Sequence, residues 1–199
     1  MKTIHLLIMV IAFALFSCNS GEKSNAQKVI FGIHETIKIK EIPDSVINAL
    51  KTTNIHFEND INSPIVGYIL NTDTTHFQAD FPQENIRLVK TFYTVDKEGK
   101  YNALVAIKQN PAINNSDIKK AKNMGTNVEI HFNMTGAKKW AEVIKNNQEN
   151  MIAFLIDNQI YTLPYINGKI NNGSALINGI ENETTAKNIS ESLNSGIVK

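Results

Sequence analysis

The chain has 199 residues with 20 basic against 19 acidic side chains, a formal charge of +1, which argues against a nucleic acid or an anionic surface as partner. A single cysteine excludes an intramolecular disulfide framework. No fixed-period repeat is present and the many asparagines are scattered, so neither a repeat array nor a low-complexity tract is indicated.

Lys2 gives the chain a positive start, and Ile4 to Phe16 is apolar apart from His5. That run is shorter than the roughly 20 residues that span a bilayer and reads as a signal peptide. It ends in Leu15-Phe16-Ser17-Cys18, which resembles a lipobox: an aliphatic residue three before the cysteine and a small residue just before it, with Phe16 an unusual member. A lone cysteine is often a buried thiol; at the end of an export signal, Cys18 reads instead as the point of lipid attachment. Two or three acyl chains on Cys18 would anchor the mature protein durably, since each buried methylene contributes about 0.8 kcal/mol. Asn19, where an aspartate argues for inner-membrane retention, leans toward the outer membrane. Residues 19–27, NSGEKSNAQ, lack apolar side chains beyond Ala26 and predict a flexible tether reaching roughly 15 to 20 Å.

In the body, a strand is expected within Val29–Ile39, and Pro43-Asp44-Ser45 predicts a short helix through Val46, Ile47 and Leu50. Ile65–Leu70 reads as a strand. Ile86–Val95 and Tyr101–Lys108 read as a hairpin around Lys97-Glu98-Gly99-Lys100, with the glycine where positive φ is wanted. Asn110-Pro111 breaks the chain, which suggests a soft boundary between an α+β subdomain at 28–109 and a second at 110–199. Whether the first half folds alone or pairs strands with the second is open at this level. Ser116-Asp117 predicts a cap for a short helix, Ile118 to Lys122.

The stretch 128–196 is the most patterned. Val128, Ile130 and Phe132 alternate as a strand, and the spacing then turns helical through Ala137, Trp140, Ala141 and Ile144, predicting a helix over Gly136–Asn147. Met151–Ile156 is an almost unbroken apolar run, the mark of a strand covered on both faces, and Asp157-Asn158 reads as a turn into Ile160–Leu163. Pro164 and Asn167-Gly168 take the chain out of that hairpin before a strand at Ser174–Ile177. Thr184–Leu193 predicts an amphipathic helix with Ala186, Ile189 and Leu193 inward and Gly196 as C-cap. The order β-α-β-β-β-α is α+β, with mixed or antiparallel sheets and a few short helices.

This stretch resembles the first periplasmic domain of SecD, in its head subdomain and the return segment behind it. The residues that carry the likeness are Gly136-Ala137 with Trp140, Asp157-Asn158, Pro164, Ile166, Ile170, Gly173, Ile177 and Gly179, Ala186-Lys187-Asn188, and Ser195-Gly196. Asn158 and Asn172 stand where the family has glycines, and Glu181 where an aromatic is usual. The resemblance spans Asn110 to Gly196 and implies a SecD head-like fold in an export setting. In that family the domain engages emerging polypeptide while membrane helices use the proton gradient. Ending at Lys199, where SecD enters those helices, this chain is expected to bind a client or partner passively.

Chemistry-bearing residues are few. Past Cys18 the histidines are His34, His56, His76 and His131, and no two share the spacing of a metal pair. His131 falls on the strand face of Glu129 and Asn133, opposite Val128, Ile130 and Phe132, and is expected in solvent. Asp157 could be a catalytic carboxylate, but a turn explains it better because aspartate bonds its own backbone there. GxGxxG, GxxxxGK and GxSxG patterns are absent. The Asn-x-Ser/Thr triplets at Asn114, Asn133, Asn172, Asn182 and Asn188 arise readily by chance in so asparagine-rich a chain. Trp140 reads as core, and Phe77, Phe81, Phe92 and Tyr93 as candidate groove residues.

The sequence thus predicts a non-catalytic protein without cofactor or metal, lipid-anchored through Cys18 in a bacterial envelope with its body in the periplasm. Its candidate partners are unfolded exported polypeptide, bound at an open strand edge, or the Sec translocon; no nucleic acid is among them. The rival reading is an envelope docking lipoprotein that reuses the fold for something unrelated to export.

Overall fold

A computed structural model of the protein describes residues 29–51, 53–72, 78–168 and 173–196. The expected signal segment Met1–Ser17, Cys18 and the tether 19–27 lie outside the described residues, as do His76, Phe77, Ile170 and Asn172.

The first half supplies β1 (Phe31–Glu35), α1 (Asp44–Leu50), β2 (His56–Phe57), β3 (Ile65–Leu70), β4 (Gln78–Phe81), β5 (Ile86–Thr94) and β6 (Tyr101–Lys108). Gly99 takes φ +68° in the β5–β6 turn. Asp96 fastens that turn, its Oδ1 accepting from the N–H groups of Lys100 and Tyr101 at 2.9 and 2.7 Å. The two residues of β2 are too few for any periodic signal, and the pattern announces neither β2 nor β4.

The second half supplies β7 (Ile113–Asn114), β8 (Ile118–Met124), β9 (Asn127–Phe132), α2 (Met134–Asn146), β10 (Ile152–Ile156), β11 (Gln159–Thr162), β12 (Ser174–Ile177) and α3 (Glu183–Ser195). One expectation is overturned: Ile118–Lys122 is strand, not helix. Asn114 caps only a single 3-10 turn, Asn115–Asp117, and the chain then pairs with β9. The register of that pairing shifts between Ile118 and Lys120. Such a bulge sets two residues against one, so Ile118 and Ala121 both face inward. The cap signal at Ser116-Asp117 belongs to the single 3-10 turn and is followed by strand, not helix.

Smaller differences concern helix ends. Asn133, not the glycine, starts α2, its Oδ1 accepting from the Gly136 N–H at 2.9 Å. Asn182 caps α3 by accepting from the Thr185 N–H at 2.9 Å. Gly196 ends α3 at φ −83°, a right-handed value that makes no use of glycine's freedom.

Among the described residues the strands form a nine-stranded and a three-stranded sheet. The large sheet runs β2-β3-β6-β5-β11-β10-β1-β7, with β4 also beside β5. The first part of β5 pairs β4, and after a register shift its end meets β11 in parallel at Thr91↔Ile160. Asn102 stitches that irregularity, its Nδ2 donating to the carbonyls of Thr91 and Tyr93 at 2.9 and 3.0 Å. Strand β1 lies between β10 and β7. Strands from before and after residue 110 therefore pair, which the sequence left open.

Strand β10 organises the core because both its faces are covered, as its unbroken apolar run predicts. Ile152, Phe154 and Ile156 face α2, α3 and the small sheet; Ala153 and Leu155 face Val89, Val105 and Ile160. A third cluster packs α1 through Val46 and Leu50 onto β3, β5 and β6. The small sheet, ordered β12-β9-β8, turns Val128, Ile130 and Phe132 toward Trp140 and α3.

Candidate functional site

Small residues set α2 against the turn before β8 and against the start of β12. A Cβ on Gly136 would stand 2.3 Å from the Asp117 carbonyl oxygen, so only glycine lets the first turn of α2 lie on the 3-10 turn before β8. Asn133 joins the same contact, its N–H and Nδ2 donating to the carbonyls of Asp117 and Ser116 at 2.9 and 2.8 Å. The buried Asp117 carboxylate pairs with Lys139 of α2 at 2.9 Å. On the neighbouring turn, a Cβ on Gly173 would approach the Ala137 methyl to 3.1 Å, so the glycine draws the start of β12 close to the helix.

Beside β12 opens a cleft of about 540 Å³, within the usual range for a binding pocket. Trp140, Phe154 and Ala175 give it an apolar floor, Leu176 and Glu129 one lip, and the segment 164–168 the other. The first lip is the edge of β12, and the second carries a single isolated bridge, Met151↔Tyr165. Gly173 accepts from the Phe132 N–H at 2.9 Å, and with the register Ala175↔Ile130 this sets Ala175 and Ile177 as the residues bonded to β9. In an antiparallel ladder bonding alternates. The N–H and C=O of Ser174 and Leu176 therefore point away from β9 and have no partner among the described residues. Across the cleft, Ile152 donates to Pro164 at 3.1 Å and Ile166 to Asn150 at 2.9 Å, so the N–H and C=O of Tyr165 likewise point away from β10.

The opposite edge of the same sheet is closed. Asn194 of α3 accepts from the Ala121 N–H and donates to the Ala121 carbonyl, both at 2.8 Å, as a neighbouring strand would.

The other candidates disperse. His34 is 4% exposed in β1, its Nδ1–H donating to the Lys108 carbonyl at 2.8 Å. Burial lowers its pKa below the ordinary imidazole value, helped by the Arg87 charge and opposed by the bond to Lys108. Glu35 beside it is pushed up by burial, but bonds from Lys108 and Asn147 outweigh this and its pKa falls. His56 stacks edge-on against Tyr101 at 5.4 Å. His131 lies half-exposed on the outer sheet face, as expected, with Nε2 3.1 Å from Glu129. Asp157 occupies the hairpin turn at φ +48°, its Oδ1 accepting from the Ile30 N–H at 2.9 Å. Phe92 stacks on Tyr161 at 4.5 Å and, with Tyr93, is partly exposed away from the cleft, so the expected groove aromatics do not converge on it. Trp140 is core as expected, yet it also floors the cleft. Among the described residues no group of three or more His, Cys, Asp or Glu side chains is placed to share a metal ion.

A family model described as SecDF, P1 head subdomain, matches residues 89–199, more than half of the chain. The chain belongs to the SecDF P1 head family. The match begins in β5, about twenty residues before the likeness read from the sequence, in a strand that pairs with β11 of the second half. Among curated relatives, the protein translocase subunit SecD of Leptotrichia buccalis is 28% identical over 120 residues, covering 58% of this chain and 29% of the relative. The protein translocase subunit SecDF of Thermus thermophilus is 36% identical over 69 residues, covering 35% of this chain and 9% of the relative. The chain thus spans less than a third of the length of these relatives. A solved structure of SecDF, described as a membrane component that enhances protein export, aligns with TM-score 0.49 at 20% identity, covering 86% of this chain and 64% of that one. Within the P1 head, Gly136 is a packing residue that seats α2 on the 3-10 turn before β8, and Gly173 one that draws the start of β12 to Ala137 of α2 beside the cleft. Leu176, Tyr165 and Asn194, which decide the edges, carried no signal in the sequence beyond the alternation of β12.

Proposed function

We propose that the protein is a non-catalytic, lipid-anchored envelope protein whose P1 head holds an extended segment of exported polypeptide by strand addition to β12. The observation that carries this reading is the open edge of β12 over an apolar-floored cleft, with the outward backbone groups of Ser174, Leu176 and Tyr165 unpaired among the described residues. Backbone pairing reads little sequence, which suits a binder of unfolded chains. The relatives' names, subunits of a protein translocase, support an export setting with the Sec translocon as neighbour. In this reading Cys18 carries the lipid after removal of residues 1–17, residues 19–27 form the tether, and the body is periplasmic, on the outer rather than the inner membrane. The parts 28–109 and 110–199 then act as one unit. Among the described residues no helix is long and apolar enough to cross a membrane.

The test is a titration of the full chain, in detergent, with a reduced and carboxymethylated unfolded polypeptide, followed by fluorescence anisotropy. Saturable binding at micromolar concentrations, lost when β12 is altered, is expected. Absence of binding, together with recovery of one folded envelope protein by in-cell crosslinking from positions around the cleft, would replace this reading with the docking one. Palmitate labelling that persists in a Cys18→Ser variant would overturn the anchor.

A further inference from the structure

A second concavity, of about 500 Å³, opens in the first half of the chain, on strands that do not line the cleft beside β12. His56 of β2, Tyr68 of β3 and Tyr101 of β6 wall it, with Val95 and Asp96 of the β5–β6 turn. Strand register puts the three rings on one face of the sheet: His56 stands opposite Tyr68, and Leu70, two residues beyond Tyr68, stands opposite Tyr101. The rings are reachable from solvent, His56 being exposed and both tyrosines half-buried. His56 and Tyr101 meet edge-on at 5.4 Å. Both His56 and Tyr68 precede residues 89–199, so two of the three rings lie outside the matched P1 head.

The polar atoms around these rings accept hydrogen bonds and carry negative charge. Tyr68 donates its hydroxyl hydrogen to Glu58 Oε2 at 2.6 Å, which leaves its oxygen as an acceptor only. That bond pushes the Tyr68 pKa up to about 12 and lowers the Glu58 pKa below the ordinary carboxylate value. At Asp96 the Tyr101 N–H, opposed by burial and helped by the N–H groups of Lys100 and Glu98, lowers the pKa as well. Both carboxylates are therefore ionised at neutral pH. The turn also carries Lys97 and Lys100, of which Lys100 pairs with Glu98. Ring faces, a tyrosine oxygen and two fixed negative charges favour a ligand that only donates and is positively charged.

We propose that this concavity is a second binding site, which receives an arginine side chain of a polypeptide, with the guanidinium against the Tyr68 and Tyr101 rings and the stem along Val95. A guanidinium is planar, stacks on aromatic faces and only donates. Lysine, a compact and strongly hydrated charge, is held less well. The amine headgroup of a lipid is disfavoured, because its phosphate would be brought toward Asp96 and Glu58. The site does not depend on strand addition at β12.

The full chain in non-ionic detergent is titrated with a capped Ala-Arg-Ala peptide and with the same peptide carrying citrulline, which has nearly the shape of arginine and no charge. The tyrosine ring resonances are followed by NMR. Those of Tyr68 and Tyr101 are expected to shift with the arginine peptide, which should bind about three- to tenfold more tightly than the citrulline one, with a lysine peptide between them. This comparison needs no variant. In Tyr101→Leu, shown to be folded by its thermal melt, arginine and citrulline should bind alike. Glu58→Gln, which keeps an acceptor for Tyr68, should weaken arginine binding and leave citrulline unchanged. Ring resonances indifferent to the arginine peptide at about 10 mM, equal affinities for arginine and citrulline, or an arginine preference that survives Tyr101→Leu overturns the site. Phosphoethanolamine that shifts the same resonances as strongly would give the site to a lipid headgroup and overturn arginine as its ligand.

Discussion

The three-stranded sheet has two edges with opposite fates. At β8 the side chain of Asn194 supplies a donor and an acceptor to Ala121, and α3 lies along the strand. At β12 the corresponding backbone groups of Ser174 and Leu176 face a cleft with no partner among the described residues. Exposed edges invite pairing with other chains, and proteins commonly blunt them. One edge of this sheet is blunted and the other is left open above an apolar floor. Gly136 contributes by setting α2 on the turn before β8 and Gly173 by drawing β12 to α2, which places Trp140 beside the open side.

The comparison breaks most severely at the strand both edges share. Ile130, fully buried at the centre of β9, supports β8 and β12 equally. Ile130→Ala is expected to cost about 2–5 kcal/mol, measured by urea denaturation, and to abolish polypeptide binding with the fold. A cost below about 1 kcal/mol would mean that the small sheet contributes little to the stable core. Asn194→Ala acts on the closed edge alone. It strands the N–H and C=O of Ala121 and should cost about 1–3 kcal/mol. The uncovered β8 should also make the protein self-associate in sedimentation velocity. A variant that stays monomeric would show that α3, not the asparagine, does the covering.

The open edge is probed by Leu176→Pro. Its N–H points away from β9 and the side chain is 47% exposed, so proline is tolerated as on other edge strands. Affinity for the unfolded polypeptide should fall about two- to tenfold, the loss of one hydrogen bond, with little change in melting temperature. Unchanged affinity would sink strand addition at β12.

The mildest effect comes from pH, through a group on neither edge. The folded pKa of His34 lies below its unfolded value, so near and below pH 6.5 the unfolded chain binds more protons. Stability from this group then rises with pH and is lost as pH falls below about 6.5. Melts at pH 7.5 and 5.5 should show the drop, and His34→Gln should flatten it while polypeptide binding at pH 7.5 stays unchanged. An equal drop in the variant would assign the effect elsewhere.

Sequence patterning determined much of this protein. Period-two alternation gave β9, the unbroken apolar run gave a twice-covered β10, and the i, i+3, i+4 spacing around Trp140 and Ile189 gave α2 and α3, because side-chain burial imposes those periods locally. The ordered glycines, proline and turn residues gave the family. The Ser116-Asp117 cap signal misread Ile118–Lys122 as helix, since it is pairing with β9 that makes this segment a strand. The cleft was not legible at all. Which edge Asn194 covers, which backbone groups of β12 and Tyr165 are left unpaired, and that a core tryptophan also floors a cleft are decided by contacts between residues far apart in the chain. Tertiary structure alone fixed them, because a strand's edge is open or closed only relative to whatever the rest of the chain has brought beside it.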